Sequence, residues 1–453
     1  MDWPLEDTEW TSRDLNVFNY QQGRAVILQK PSSDEMIVGE LKNKNDWEVW
    51  FDNAPSVTSA EEGLYALLCS RAQPVFDGEA APVSYLPVTR DTWERVTREF
   101  QIHRRITRTI SRQVPFVSSN WERDVETAKW KISFTARTSA YLQNDLALSV
   151  TYKPSTGSIF CVVYGCNEQQ IEAFMKRVRM AGDRVKYPLL MLGIFAEVER
   201  ERLVGIADQL LDRFTLRSEH LENRPLDPST DMNGANTQEH LALCLQSRSL
   251  VDHIQSVKRQ LSKLLTEIDD LGQRLTLRKE KDGILPKTFK NGRQLKRMGV
   301  QMKKRLQDII HEYDDKIDEC NMIVGNTSLA MQTVWNLIAR HDSQINTRFA
   351  RANTMIAVET KRESSQMKSI AILTMIYLPL SSVAAIFSMD LFNWNAGAGE
   401  SIVSKHIWIF AVFSVGLTTL TLLAWRHVTN RHEKTTGKGN ESLGSPKTEA
   451  EMV

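Results

Sequence analysis

The sequence predicts an α+β cytosolic domain, an antiparallel sheet with helices, followed by long stalk helices and a two-span transmembrane helical hairpin. Three observations carry that prediction. Between Lys368 and Asp390 lie 21 uncharged residues, and between Lys405 and Arg426 lie 20 more. Apolar residues alternate with polar ones from Trp130 to Val163, the period of strands. From Leu250 onward they recur at three- and four-residue steps, the period of helices.

Composition narrows the function before any motif is read. The 453 residues allow roughly three domains of about 150 residues. With 57 basic and 56 acidic side chains the net charge is +1, which argues against a nucleic-acid partner. The five cysteines (Cys69, Cys161, Cys166, Cys244, Cys320) form no CxxC pair and suit a reducing compartment. The start, Met1-Asp-Trp-Pro-Leu-Glu-Asp7, has neither the basic nor the apolar region of a secretory signal. No Walker loop, GxGxxG, GxSxG or HExxH occurs, so an enzyme reading has no residue set and no permanently bound cofactor is expected.

Along the chain, residues 1–80 give no strong motif and their structure stays open. Residues 81–239 read as a cytosolic α/β domain, with strand signal from about 84 to 165. Ile132 and Phe134, then Leu146, Leu148, Val150 and Tyr152, then Ile159, Cys161 and Val163 suggest an antiparallel meander with one buried face. Residues 167–222 return to helix, and 223–239, rich in Pro, Asp, Asn, Ser and Gly, read as a linker. Stalk helices are expected over 240–367. One runs to a break at Gly283-Ile-Leu-Pro286, a second ends near Gly325-Asn326, and a third enters the membrane from Ser328. Their stripes suit coiled-coil packing against one another and against neighbouring copies.

The hairpin occupies 368–426, with spans at about 368–389 and 406–426. About 20 residues at 1.5 Å each cross the roughly 30 Å hydrocarbon core. Trp408 and Trp425 fall near the ends of the second span, and Lys361, Arg362, Lys368, Arg426, Arg431 and Lys434 collect on the outer flanks. That places both termini in the cytosol, favours the plasma membrane, and leaves the tail (427–453) polar and disordered. On the first span, Met367, Ile370, Thr374, Leu378 and Ser381 share one helix face. This face suits a pore wall of apolar rings with polar steps, and equally lipid contact with small residues for helix packing. Pro379 should bend the span or free a carbonyl.

At Lys368-Ser-Ile-Ala-Ile-Leu-Thr-Met-Ile-Tyr-Leu-Pro-Leu-Ser-Ser-Val-Ala-Ala-Ile-Phe-Ser-Met-Asp390 the sequence resembles the CorA-type magnesium channels, especially their divergent fungal members. The resemblance runs from about Tyr187 to Arg426 and includes Tyr187-Pro-Leu-Leu-Met-Leu-Gly-Ile-Phe-Ala-Glu-Val-Glu-Arg200 and Ala339-Arg-His-Asp-Ser343. It implies a homopentamer with a cytosolic funnel, first spans lining the pore and second spans around them. Met367, Ile370, Thr374, Leu378 and Ser381 then take pore-lining places, and Leu378-Pro379 matches the family's mid-span step. Where that family ends its first span in Gly-Met-Asn, this chain has Ser388-Met389-Asp390. Asp390 therefore stands at the mouth as the residue that meets the metal, and Glu400 in the outer loop can concentrate cations. The cargo, or a regulatory ion, would be a divalent cation such as magnesium. The alternative is a non-conducting, membrane-tethered interaction or regulatory protein. Asp314, Asp315, Asp318 and Glu319 read as a solvated, salt-bridging face rather than a metal site.

Overall fold

A computed structural model describes residues 9–31, 35–53, 62–72, 81–123, 130–223, 235–281, 292–387 and 407–440. The chain divides into two compact units, Met1–Leu337 and Ile338–Val453.

The first unit opens with α1 (Ser12–Leu15), β1 (Asn19–Tyr20), β2 (Ala25–Pro31), β3 (Ile37–Leu41), α2 (Lys44–Asn53) and β4 (Gly63–Ser70). Next come β5 (Tyr85–Leu86), α3 (Arg90–Glu99), α4 (Arg105–Ile110), β6 (Phe116–Arg123), β7 (Trp130–Arg137), β8 (Ala147–Lys153) and β9 (Ser158–Cys166). Seven strands form one sheet in the order β3-β2-β4-β9-β8-β7-β6, while β1 and β5 pair separately. The expected meander is there as β7, β8 and β9, antiparallel in sequence, with Phe134 opposite Val150 and Val150 opposite Cys161, and β6 adds a fourth antiparallel strand beside β7. The sheet is nevertheless mixed, because β4 joins β9 in parallel, Leu64 beside Ile159. The first 80 residues thus supply three of its strands.

Both faces of this sheet are buried, which corrects the one-faced expectation. Leu28, Ala66, Phe134, Val150 and Cys161 point into one core. Their neighbours Ile27, Leu67, Phe160, Val162 and Tyr164 point into the other, where α1 to α4 bring Leu15, Trp47, Trp93 and Ile106. The stretch Ile159-Phe160-Cys161-Val162-Val163-Tyr164 is apolar without interruption, as a strand covered on both sides must be. Within the stretch read as strand territory, 90–99 and 105–110 are helical. Thr89 caps α3 by accepting from the Thr92 N–H at 3.3 Å, and β-branched residues follow without dictating strand.

The other face is covered by α5 (Glu168–Met180), a short 3-10 turn (Gly182–Lys186), α6 (Leu190–Asn223), α7 (Ala235–Lys281) and the start of α8 (Gly292–Phe387). Asn167 opens α5 with a reciprocal cap, Asn167 accepting from Gln170 N–H and Gln170 from Asn167 N–H, at 2.8 and 2.9 Å. Helix α7 lies along the edge strand β6. Gln260 accepts from the Val117 N–H at 3.1 Å, Lys263 donates to the Val117 carbonyl at 2.7 Å, and Ser119 donates to Glu267 at 2.7 Å. Side chains of the helix therefore occupy backbone groups that an open edge would offer to another strand.

Three boundaries differ from the sequence reading. Helix α8 runs unbroken through Gly325-Asn326. An interior glycine costs only about 1 kcal/mol. Here Ile323 and Thr327 are buried beside it, and the Thr327 hydroxyl donates to the Ile323 carbonyl at 2.7 Å. Helix α7 begins at Ala235, inside the expected linker, and the rest of that linker lies outside the described residues. The fourth long helix, α9 (Ile407–Asn440), extends well into the expected tail, of which 441–453 lie outside the described residues.

Two charged groups anchor the first unit. Glu199 and Arg202, both on α6 and both buried, pair through two contacts at 2.7 and 2.8 Å, and Arg202 also donates to the carbonyls of Leu142 and Gln143. Burial raises the Glu199 pKa, and the guanidinium of Arg202 offsets part of that rise. Glu199→Ala leaves a buried unpaired cation, so unfolding of the full chain should lose about 3–5 kcal/mol, read by chemical denaturation. On the sheet's edge, burial pushes the Glu122 carboxyl up, but His103 and Lys131 outweigh it and bring it from 4.5 down to about 2. A depressed carboxylate stabilises the fold above its unfolded pKa and loses that contribution as pH falls. The stability difference between the parent and Glu122→Gln should therefore shrink from pH 4.5 towards pH 2.

Candidate functional site

Among the described residues two helices are long and apolar enough to cross a membrane, the C-terminal part of α8 and Ile407–His427 of α9. Their apolar side chains stand exposed: Met367 is 71% exposed, Ile370 67% and Leu378 64%. So much apolar helix surface in one chain requires lipid or further protein to cover it.

The face singled out in the sequence is a real one. At about 100° per residue, Met367, Ile370, Thr374, Leu378 and Ser381 fall within one narrow stripe of α8. All five are exposed. Pro379 and Val383 point to roughly the opposite side and are buried, as is Ser414 on α9. The stripe is thus uncovered, together with most of the span, since Leu373 and Tyr377 beside it are exposed as well and only Pro379 and Val383 among its described residues are buried.

The hydroxyls on and beside the stripe have a common arrangement. Thr374 donates to the Ile370 carbonyl at 2.8 Å, Ser381 to the Leu378 carbonyl at 3.0 Å, and Ser382 to the same carbonyl at 2.8 Å. Each hydroxyl spends its single proton on its own helix and keeps oxygen lone pairs as acceptors. Pro379 has no N–H, so the Met375 carbonyl lacks its helical donor and becomes a further acceptor. A hydrated cation presents water O–H groups outward. A wall of neutral acceptors between apolar turns can hold such a shell without stripping it. Thr374 and Ser381 stand seven residues apart, on the order of 10 Å along the axis.

The mouth residues Ser388, Met389, Asp390 and Glu400 lie outside the described residues. Among the described residues no group of three or more His, Cys, Asp or Glu is placed to hold a metal ion. The acidic cluster is split among salt bridges: Asp314 pairs with Lys258, and Glu319 with Lys316 at 2.8 Å. Lys316 also holds Asp208 at 2.8 Å, and Lys303 and Arg305 turn instead to Asp269 and Glu197.

The stretch Tyr187 to Arg200 is mostly core. Tyr187, Leu189, Met191, Leu192, Ile194, Phe195 and Val198 are buried, while Arg200 joins α6 to α8 through Glu312 at 2.8 Å. By contrast Ala339 to Ser343 is exposed throughout. Sequence reading missed the buried centre Arg71–Asp145–Arg137, where Asp145 accepts from both guanidiniums, at 2.8 and 3.0 Å. Arg71 lies 66 positions before Arg137, and Asp145 sits in the connection between β7 and β8, so no spacing rule could reveal them.

No protein-family model and no curated protein matches the chain. Among solved structures, the full-length CmaX protein is similar over 90% of this chain and 98% of its own, at 11% identity and a TM-score of 0.38. The cytoplasmic domain of ZntB from Vibrio parahaemolyticus is similar over 69% of this chain and 100% of that one, at 11% identity and a TM-score of 0.33. Likeness at this level assigns no family.

If the exposed stripe faces water, cysteines placed on it should react with a membrane-impermeant thiol reagent in membrane-embedded protein. Ser381→Cys and Leu378→Cys are expected to label, and Val383→Cys to stay protected, as measured by mass shift.

Proposed function

We propose that this chain is an oligomeric membrane channel or transporter for divalent metal cations, magnesium-like, with a path lined by the first span. The single observation that carries the reading is the exposed run of hydroxyl acceptors and apolar residues along one line of a helix long and apolar enough to cross a membrane. Its sequence resemblance to CorA-type channels from Tyr187 to Arg426 supports the same reading, and that resemblance implies five copies. A two-helix hairpin encloses no aqueous path by itself. Copies must gather so that each gives its stripe, Met367, Ile370, Thr374, Leu378 and Ser381, to a common wall. The cytosolic sheet and stalk then form the funnel leading to it, both termini lie in the cytosol, and the bilayer of the plasma membrane covers the outer surfaces.

At the mouth, magnesium arrives with its waters and dehydrates reluctantly. A ring of neutral amides binds that shell weakly enough for release. A ring of Asp390 carboxylates attracts divalent cations more strongly and slows their departure. The carboxylates also raise one another's pKa values, so the ring ionises as a coupled set. Ser388 adds a Cβ where the related motif has glycine, and Glu400 adds charge at the entrance.

Flux of several divalent ions into liposomes holding the purified chain tests the proposal. Asp390→Asn should change selectivity and speed release, and Ser381→Ala, which removes an acceptor from the stripe, should lower flux without loss of helix content. Equal flux and selectivity from Asp390→Asn and the parent would remove the mouth's role. Oligomers that insert but pass no ion would turn the assignment to a membrane-tethered interaction protein.

A further inference from the structure

The first unit contains a cavity of about 460 Å³ that the cation path does not use. It lies between the start of α6 and the stretch of α8 from Met298 to Ile309, with α5 and the 3-10 turn closing one side. Its volume falls in the range of about 300–1,000 Å³ that holds one small ligand.

The cavity has two chemically distinct parts. Its floor is aliphatic: Leu190, Ile194, Leu306 and Ile309, with the adaptable thioethers of Met298 and Met302. Its charged lining is mostly cationic, with Arg177, Arg184 and Arg305 against one carboxylate, Glu197, beside the neutral Tyr187 and Gln301. That carboxylate is already shared, since Arg305 donates to it and Arg200 does so at 3.0 Å. Arg177 reaches outward to Glu201 at 2.5 Å. Arg184 is exposed and has no ion-pair partner among the described residues. A divalent cation is repelled by this lining, and an uncharged apolar ligand leaves the guanidinium idle.

We infer that this cavity binds a single-chain anionic amphiphile, an alkyl carboxylate or alkyl phosphate, with its tail on the Leu190–Ile309 floor and its head on Arg184. The guanidinium fork matches both heads in a bidentate way. One aliphatic compartment of this volume takes one tail, so a two-chain phospholipid is not the occupant. The site belongs to the soluble unit and stands whether or not the spans conduct.

Gly193 supplies a means of closing it. A Cβ at that position meets only the mobile end of Met302, at 3.2 Å from its methyl carbon, so Gly193→Leu fills the cavity from a helix whose propensity it improves. The probe is dodecanoate carrying a terminal diazirine, irradiated with the full chain held in amphipol, and cross-links are mapped by peptide mass spectrometry. The carboxylate probe should mark the Met298–Ile309 stretch, and the matching alcohol about tenfold less, the worth of one charge-assisted contact. Arg184→Glu and Gly193→Leu should each lower marking about tenfold, with thermal melting by circular dichroism reporting that the fold is kept. Equal marking by the alcohol would overturn the inference. So would marking unchanged in both variants, or displacement by phosphatidylglycerol vesicles as effective as displacement by free dodecanoate.

Discussion

The helical side of the first unit depends on α6 being held between the sheet and the other long helices. Its first turns sink Leu192, Phe195 and Val198 into the core shared with β7 and β8. Farther along, Leu203, Ala207 and Leu210 meet the same core from which Leu250, Ile254 and Tyr313 extend on α7 and α8. The helix keeps an exposed charged side at Glu201, Asp212 and Arg213, but where it meets the sheet and the other helices its charges have little water. Its polar residues must then find partners, and they do: Glu199 with Arg202, Arg200 with Glu312, and Asp208 with Lys316. The buried pair is a liability when one member is missing, because desolvation of a lone charge exceeds any gain from packing. Intact, the set ties the register of α6 to that of α8.

The second unit obeys a different constraint. There the helices expose apolar side chains, and the only solvents that accept them are lipid and further copies of protein. Backbone groups in such a setting must be satisfied within the helix, and the hydroxyls of Thr374, Ser381 and Ser382 turn inward to their own carbonyls accordingly. That leaves oxygen lone pairs as the polar feature of the stripe. Acceptors suit a cation that keeps its water, whereas exposed carboxylates would compete for the ion itself.

Several errors of sequence reading share one cause. A strand with one wet face alternates, and the alternation of Ile132, Phe134, Leu148 and Val150 was legible for that reason. The intervening Ser133, Thr135, Ser149 and Thr151 look solvent-facing but are buried too. Two of these hydroxyls find partners in places sequence cannot show: Ser118 and Thr135 bond at 2.9 Å, and Thr151 donates to the Gln101 carbonyl at 3.0 Å. Likewise the glycine at 325 looked like a stop, and tertiary burial of Ile323 and Thr327 carried the helix past it.

By itself the sequence determined the two apolar spans, the stripe on the first of them, three of the meander strands and the helical stalk. Each is a local pattern, a run length or a period that the chain carries wherever it goes. Tertiary structure alone decided that β4 lies parallel to β9, that the sheet is covered twice, and that Arg71, Arg137 and Asp145 meet. It also decided that Pro379 and Val383 turn to the buried side while Leu378 stays open. These are encounters between segments distant along the chain, set by which surfaces remain to be covered after the local elements have formed.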